Sequence, residues 1–181
     1  MRFPSKRITL KNGEEAILRS PEVSDASELL EHLKRVCAET NFLMRYPEEC
    51  TMTLAQEEAF CRDICESDYD LMILCQVGDR IAGNCHISFK RHIKNRHRAT
   101  VAIALLSEYW NLGIGSALFQ EMIAAARNRG IEQLELEVIE GNDRAMHLYQ
   151  KIGFQIVAKK PNAIRLKDGT RLSEYYLILP L

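Results

Sequence analysis

The chain has 181 residues, enough for one domain with a continuous core, and no Pro/Gly/Ser-rich stretch divides it. Lys+Arg 24 against Asp+Glu 25 leaves a formal net charge of -1. That balance argues against a nucleic-acid partner or a lipid surface and favours a small-molecule partner, with residues 1–181 read as a single domain.

The opening segment, Met1-Arg2-Phe3-Pro4-Ser5-Lys6, lacks the apolar core of a signal peptide, and no apolar run approaches the roughly 18 residues that span a bilayer. A cytoplasmic protein without a membrane partner is therefore expected. Residues 6 to 19 alternate around Lys11-Asn12-Gly13-Glu14, where Asn-Gly marks a hairpin turn. Ser24-Asp25 then reads as the cap of a helix carrying Leu29, Leu30, Leu33, Val36 and Cys37 at helical spacing. A second helix starts near Thr53, with Gln56 completing a capping box and Phe60 and Ile64 on its apolar face.

From Asp70 the pattern turns to strands: Leu71 to Val77, Ile81 to Phe89, and Ala99 to Leu106, an antiparallel meander. Gly113 to Arg129 reads as a helix ended by Gly130. Next, Leu134, Leu136 and Val138 alternate with Glu135 and Glu137, giving a strand with one apolar and one carboxylate face. Asn142 caps a short helix that stops at Gly153, and Phe154 to Ala158 and Tyr175 to Leu179 complete the strands. The expected fold is α/β of the α+β kind: one mixed, mostly antiparallel central sheet of about seven strands with helices on both faces. The six cysteines (Cys37, Cys50, Cys61, Cys65, Cys75, Cys85) have no CxxC spacing, which points to reduced, mostly buried thiols rather than zinc ligands or a disulfide framework.

The segment with the clearest chemistry is Tyr109-Trp110-Asn111-Leu112-Gly113-Ile114-Gly115-Ser116, between a strand and a helix. Glycine lets the main chain approach a ligand closely, and a helix start offers unpaired N–H groups at the positive end of its dipole, so a pyrophosphate can sit there. Alone, Gly-x-Gly is a weak signal that fits a helix-packing turn without ligand better than a phosphate site. About 30 residues further on stands Asn142-Asp143-Arg144-Ala145-Met146-His147-Leu148-Tyr149-Gln150-Lys151-Ile152-Gly153-Phe154.

Together these segments resemble the GCN5-related N-acetyltransferases. Their cofactor motif reads Gln/Arg-x-x-Gly-x-Gly/Ala, and a later one reads Asn-x-x-Ala-x-x-Leu-Tyr-x-x-x-Gly-Phe, met here at Asn142, Ala145, Leu148, Tyr149, Gly153 and Phe154. Trp110 departs from the first motif at its Gln/Arg position.

The resemblance implies an N-acetyltransferase that uses acetyl-CoA as co-substrate, without a metal, and moves the acetyl group directly to a primary amine in a ternary complex. It implies that the backbone of Ile103, Ala104 and Leu105 pairs with the pantetheine arm, and that Asn111, Leu112, Gly113, Ile114, Gly115 and Ser116 cradle the pyrophosphate. Asn142 and Tyr149 join the cofactor-binding set, and Tyr149 is the general acid toward the departing thiolate. Glu137 matches the base of ribosomal-protein N-terminal acetyltransferases, yet it also belongs to the series Glu132, Glu135, Glu137 and Glu140, which reads equally as a solvated strand face.

The acceptor, a small-molecule amine or a peptide N-terminus, is expected to meet the loop Glu39 to Glu49, whose Phe42/Leu43 pair fits an apolar substrate surface, a homodimer contact or simple packing. His86, His92 and His97 flank the basic turn Lys90 to Arg98, with spacing unlike a metal pair. That turn is either solvated or a contact for an acidic substrate or the cofactor's 3′-phosphate. Two other readings stay open: a non-catalytic acetyl-CoA sensor, and an enzyme that moves a longer acyl chain.

Overall fold

The Asn-Gly turn closes a hairpin between β1 (Lys6–Thr9) and β2 (Glu15–Arg19), with Gly13 at φ +88 and the Asn12 side chain accepting a hydrogen bond from the Glu14 amide. Two helices follow, α1 (Ala26–Glu39) and α2 (Leu54–Glu66). The meander is β3 (Asp70–Val77), β4 (Arg80–Phe89) and β5 (Arg98–Leu105). Then come α3 (Ile114–Asn128), β6 (Gln133–Ile139), α4 (Asp143–Ile152), β7 (Gln155–Arg165) and β8 (Arg171–Pro180). The computed structural model describes all 181 residues.

The strands form one sheet in the order β1-β2-β3-β4-β5-β6-β8-β7. Eight strands replace the expected seven or so, because both arms of the first hairpin pair into the sheet. Every neighbour is antiparallel except β5 and β6, which run parallel. Helices cover both faces. On one face α3 and α4 lie over a cluster of 25 buried residues, against 8 under α1 and α2, so the α3/α4 face holds most of the core. Leu118, Phe119, Met122, Leu134 and Leu177 are fully buried there, each worth about 1.5–3 kcal/mol of transfer free energy.

Three local expectations are corrected. The Asp25 carboxylate does not cap α1: it accepts two hydrogen bonds from Arg19 at 2.6 and 2.7 Å and one from the Glu22 amide at 2.7 Å. An arginine fork is a stronger partner for a carboxylate than a lone amide. On α2 the Thr53/Gln56 capping box forms, but Phe60 stays 38 % exposed, and the buried stripe is Glu57, Cys61, Ile64 and Cys65. Ile64 packs inward as expected, and Cys61, one residue on, takes the place expected of Phe60. β7 runs on past Ala158 through Pro161 and Asn162 to Arg165, with register shifts on the way. As an edge strand it tolerates a proline that an interior strand would reject. All six cysteines are free and buried.

One buried polar group ties α1 to the sheet. His32 is 2 % exposed, and its Nδ1 stands 3.1 Å from the Ile81 carbonyl, to which it donates as a neutral ring. Nε2 has no partner, and burial pulls the ring down to about 4. The unfolded chain takes up this proton below about 6.5 and the folded chain only near 4, so unfolding gains ground as pH falls through that window. Chemical denaturation at pH 7 and at pH 4.5 should show about 2–3 kcal/mol of stability lost through His32. That share should disappear in His32→Gln, and an unchanged pH slope in the variant would refute the assignment.

Candidate active site

β5 and β6 pair only through Arg98, Ala99 and Thr100 against Gln133, Leu134 and Glu135. Beyond Thr100 they part, and the edge of β5 from Val101 to Leu105, roughly 16 Å long, has no strand beside it on that side. The gap opens a cleft of about 1010 Å³ between the end of β5, the end of β6, the glycine loop and the start of α4. Of the residues singled out from the sequence, Ile103, Ala104, Leu105, Asn111, Gly113, Ile114, Gly115, Ser116, Glu137, Asn142 and Tyr149 line it together. Leu112 does not. Its carbonyl accepts a hydrogen bond from the Lys11 amide at 3.0 Å, and its side chain packs on the core.

The two glycines have different jobs. Gly113 takes φ +96, and Asn111 takes φ +64, so the loop curls through left-handed backbone that favours these residue types. Gly115 is helical: a Cβ there would come within 2.8 Å of Leu148 on α4, so its bareness lets α3 and α4 approach. The first bond of α3 runs from the Ala117 amide to the Gly113 carbonyl. The amides of Ile114, Gly115 and Ser116 are thus left without an internal partner at the positive end of the dipole, beside the cleft.

Trp110 donates from Nε1 to the Leu105 carbonyl at 3.0 Å, and the Arg144 guanidinium lies 4.2 Å from its ring centre. No carboxylate pairs with Arg144, and both residues line the cleft. A cation from α4 therefore stands over the position where the motif prefers Gln or Arg. The sequence carries no signal for this stack, since the two residues belong to separate elements.

Tyr149 is 7 % exposed, and its ring meets Phe119 and Phe154 edge-on at 5.6 and 6.0 Å. Burial pushes its hydroxyl up to about 12, so it stays protonated across the working range.

The glutamate series separates by partner. Glu135 is buried against Arg98 at 2.8 Å. Glu140 is held by Lys159 at 2.6 Å and by the Ser173 amide at 3.1 Å, bonds that bring it down to about 2. Glu137 is exposed and lines the cleft without a cation. Beside it stands a residue that sequence reasoning missed, Glu174 of β8, raised above the ordinary range by burial first and by Glu137 second. Only the β6–β8 register, which sets Glu174 opposite Ile139, brings the two carboxylates to one face.

From the loop before the second helix, Thr40, Phe42, Leu43 and Met44 reach the cleft, with the half-buried Phe42 ring against Gly141. The basic turn Lys90 to Arg98 lies at the other end of β5, and none of its residues lines the cleft. His86 instead contacts Asp70 at 3.1 Å.

This fold and loop are those of a known family: a model of the acetyltransferase (GNAT) family matches residues 30–154, and the chain belongs to it. Over nearly its whole length the chain is similar to an acetyltransferase of GNAT family from Streptococcus pneumoniae, with 31% identity, 92% of this chain and 99% of that chain covered, and a TM-score of 0.85. The yncA protein of Salmonella typhimurium, solved with its cofactor acetyl-CoA, shares the fold at 17% identity and a TM-score of 0.77, over 91% of this chain and 92% of that one. The L-amino acid N-acetyltransferase AaaT of Escherichia coli is 31% identical over 109 residues, 59% of this chain and 65% of that protein. A ribosomal-protein-alanine N-acetyltransferase of Haemophilus influenzae is 38% identical over 69 residues, 38% of this chain and 47% of that protein. The match thus spans less than two thirds of these curated relatives.

The start of α4 depends on one side chain, since Asn142 Oδ1 accepts from the Ala145 amide. Asn142→Ala should cost about 1 kcal/mol in denaturant unfolding. A loss below about 0.3 kcal/mol would mean that the cap is redundant.

Proposed function

We propose that the chain transfers an acetyl group from acetyl-CoA to a primary amine by direct transfer in a ternary complex. One observation carries this reading: a single cleft holds an unpaired strand edge, three free helix-start amides, a buried tyrosine and a cation-free carboxylate. The first two suit an extended amide-bearing arm that ends in phosphates. When bound, acetyl-CoA supplies an activated acyl thioester and a thiol leaving group.

The amides of Ile114, Gly115 and Ser116 take up pyrophosphate charge, and Arg144, whose guanidinium lies over the Trp110 ring, adds a cation to the same cleft. Ile103, Ala104 and Leu105 offer main-chain groups to the pantetheine arm and one amide to the thioester oxygen. Glu137 accepts the proton that an ammonium must lose before its nitrogen can attack; the second nitrogen proton is released after the carbon–nitrogen bond has formed and is taken up by the departing thiolate. Tyr149 donates its O–H to the departing sulfur. A hydroxyl at about 12 sits well above an ordinary thiol near ~8.5, so Tyr149 acts as a hydrogen-bond donor to the thiolate more than as its final proton source. The family and the acetyl-CoA seen with the Salmonella protein support this reading, as do the two curated N-acetyltransferases.

The experiment is CoA release with product mass against peptide N-termini, diamines, amino acids and aminoglycosides, beside calorimetric binding of acetyl-CoA. A mass gain of one acetyl group on one amine identifies the acceptor; absence of acetyl-CoA binding defeats the proposal. Tyr149→Phe should lower kcat about 100-fold with acetyl-CoA affinity unchanged. Trp110→Ala, which frees Arg144, should weaken acetyl-CoA binding roughly tenfold while Trp110→Gln restores much of it, and equal affinities in all three proteins would remove the stack from the phosphate site.

A further inference from the structure

The cleft is polarised along its length. At the glycine-loop end its lining includes Lys11, Arg144, His147 and Lys151. At the other end, under the Thr40 to Met44 segment, it includes Glu137 and Glu174, while Arg45 and Arg165 line a neighbouring cavity that shares Thr40, Leu43 and Met44. Alternation places Thr100, Ala102 and Ala104 of β5, Glu135, Glu137 and Ile139 of β6, and Glu174, Tyr176 and Ile178 of β8 on one face, because their neighbours Val101, Leu136, Val138 and Leu177 belong to the core on the other. Arg98, the cation of this face, is spent on Glu135 at 2.8 Å.

Glu174 is the unusual member. It keeps 7 % of its exposure, and no hydrogen bond supports its carboxylate. The nearest cation, Lys160, stands 3.9 Å away on a side chain that is 74% exposed. A carboxylate with this little exposure gains from a nearby cation, and Glu174 lines the cleft. Glu137 lies diagonally across the strand pair, within reach of the same small cation. Apolar Val36, Phe42, Leu43 and Met44 line the cleft as well.

We infer that Glu137 and Glu174 form a two-carboxylate seat for the ammonium of the acceptor, and that the acceptor class is a primary amine on an apolar body with no carboxylate beside the amine. A peptide N-terminus or an alkyl amine satisfies this; a free amino acid does not, because its α-carboxylate would lie against two like charges, and the nearest cation, Lys160, is already paired with Glu174. The inference rests on the acetyl-transfer reading above and assigns the acceptor half of that same cleft.

Three ligands with one side chain test it: leucine, leucinamide and 3-methylbutylamine. The amide and the bare amine both remove the carboxylate but differ in amine basicity in opposite directions, so a shared preference over leucine reports charge alone. Binding is read by calorimetry on the protein with CoA present, and turnover by product mass. Leucinamide and 3-methylbutylamine should each bind, and each be acetylated, on the order of tenfold or more better than leucine. In Glu174→Gln and Glu137→Gln, checked for an unchanged melting temperature, that preference should shrink several-fold.

Leucine bound as well as its two analogues overturns the inference, as does failure of both analogues to bind. A preference untouched by either substitution also overturns it. Failure of acetyl-CoA itself to bind is the separate result that defeats the acetyl-transfer reading.

Discussion

A parallel strand pair that stops after three residues is the constraint on which the site depends. Had β6 followed β5 to its end, the ladder would have satisfied the edge of Val101 to Leu105 and left no space between them. Instead β6 turns to β8, with which it pairs along its full length from Gln133 to Ile139. The sheet is therefore continuous at one end of β5 and split at the other. Each element that carries chemistry is anchored at the split: the glycine loop leaves the end of β5, α4 leaves the end of β6, and β8 brings Glu174 alongside.

Keeping such a gap open requires support from outside it. On one face Phe119, Tyr149 and Phe154 pack edge-on around a common centre and hold α3, α4 and the start of β7 together. At the loop, the Lys11 amide bonds the Leu112 carbonyl, so the first hairpin braces the turn that it would otherwise only pass. Gly83 plays a quieter part. A Cβ there would strike Leu105 at 2.1 Å and the Ala104 carbonyl at 2.7 Å, so the bare backbone of β4 admits the end of β5 beside the cleft.

Much of this was legible from residue order. Hairpin, meander, helix stops at Gly130 and Gly153, and the alternating strand with its carboxylate face are local patterns, and local patterns survive tertiary packing when caps and periodicity agree. The family resemblance likewise pointed to the loop and to α4. What could not be read was non-local. Glu174 gains its meaning from the register of two strands far apart in the chain, Arg144 from a stack on Trp110, and Leu112 loses its place at the cleft to a bond with Lys11. Asp25 looked like a cap because the sequence does not reveal that Arg19 lies close enough to claim it. The strand count fell short for a similar reason, since a hairpin signal does not say whether both arms will find partners.

The contact between Gly115 and Leu148 joins two parts that are usually considered separately. Leu148 is the residue before Tyr149, and Gly115 lies in the first turn of α3, so the turn that offers free amides and the helix that carries the phenol rest directly on one another. The Arg144–Trp110 stack forms a second joint between the same two bodies, a turn earlier on α4. Two joints allow little independent rotation. The span from the free amides of Ile114 to Ser116 to the Tyr149 phenol is thus of set length, and a ligand that met both would be gauged by its reach as much as by its chemistry.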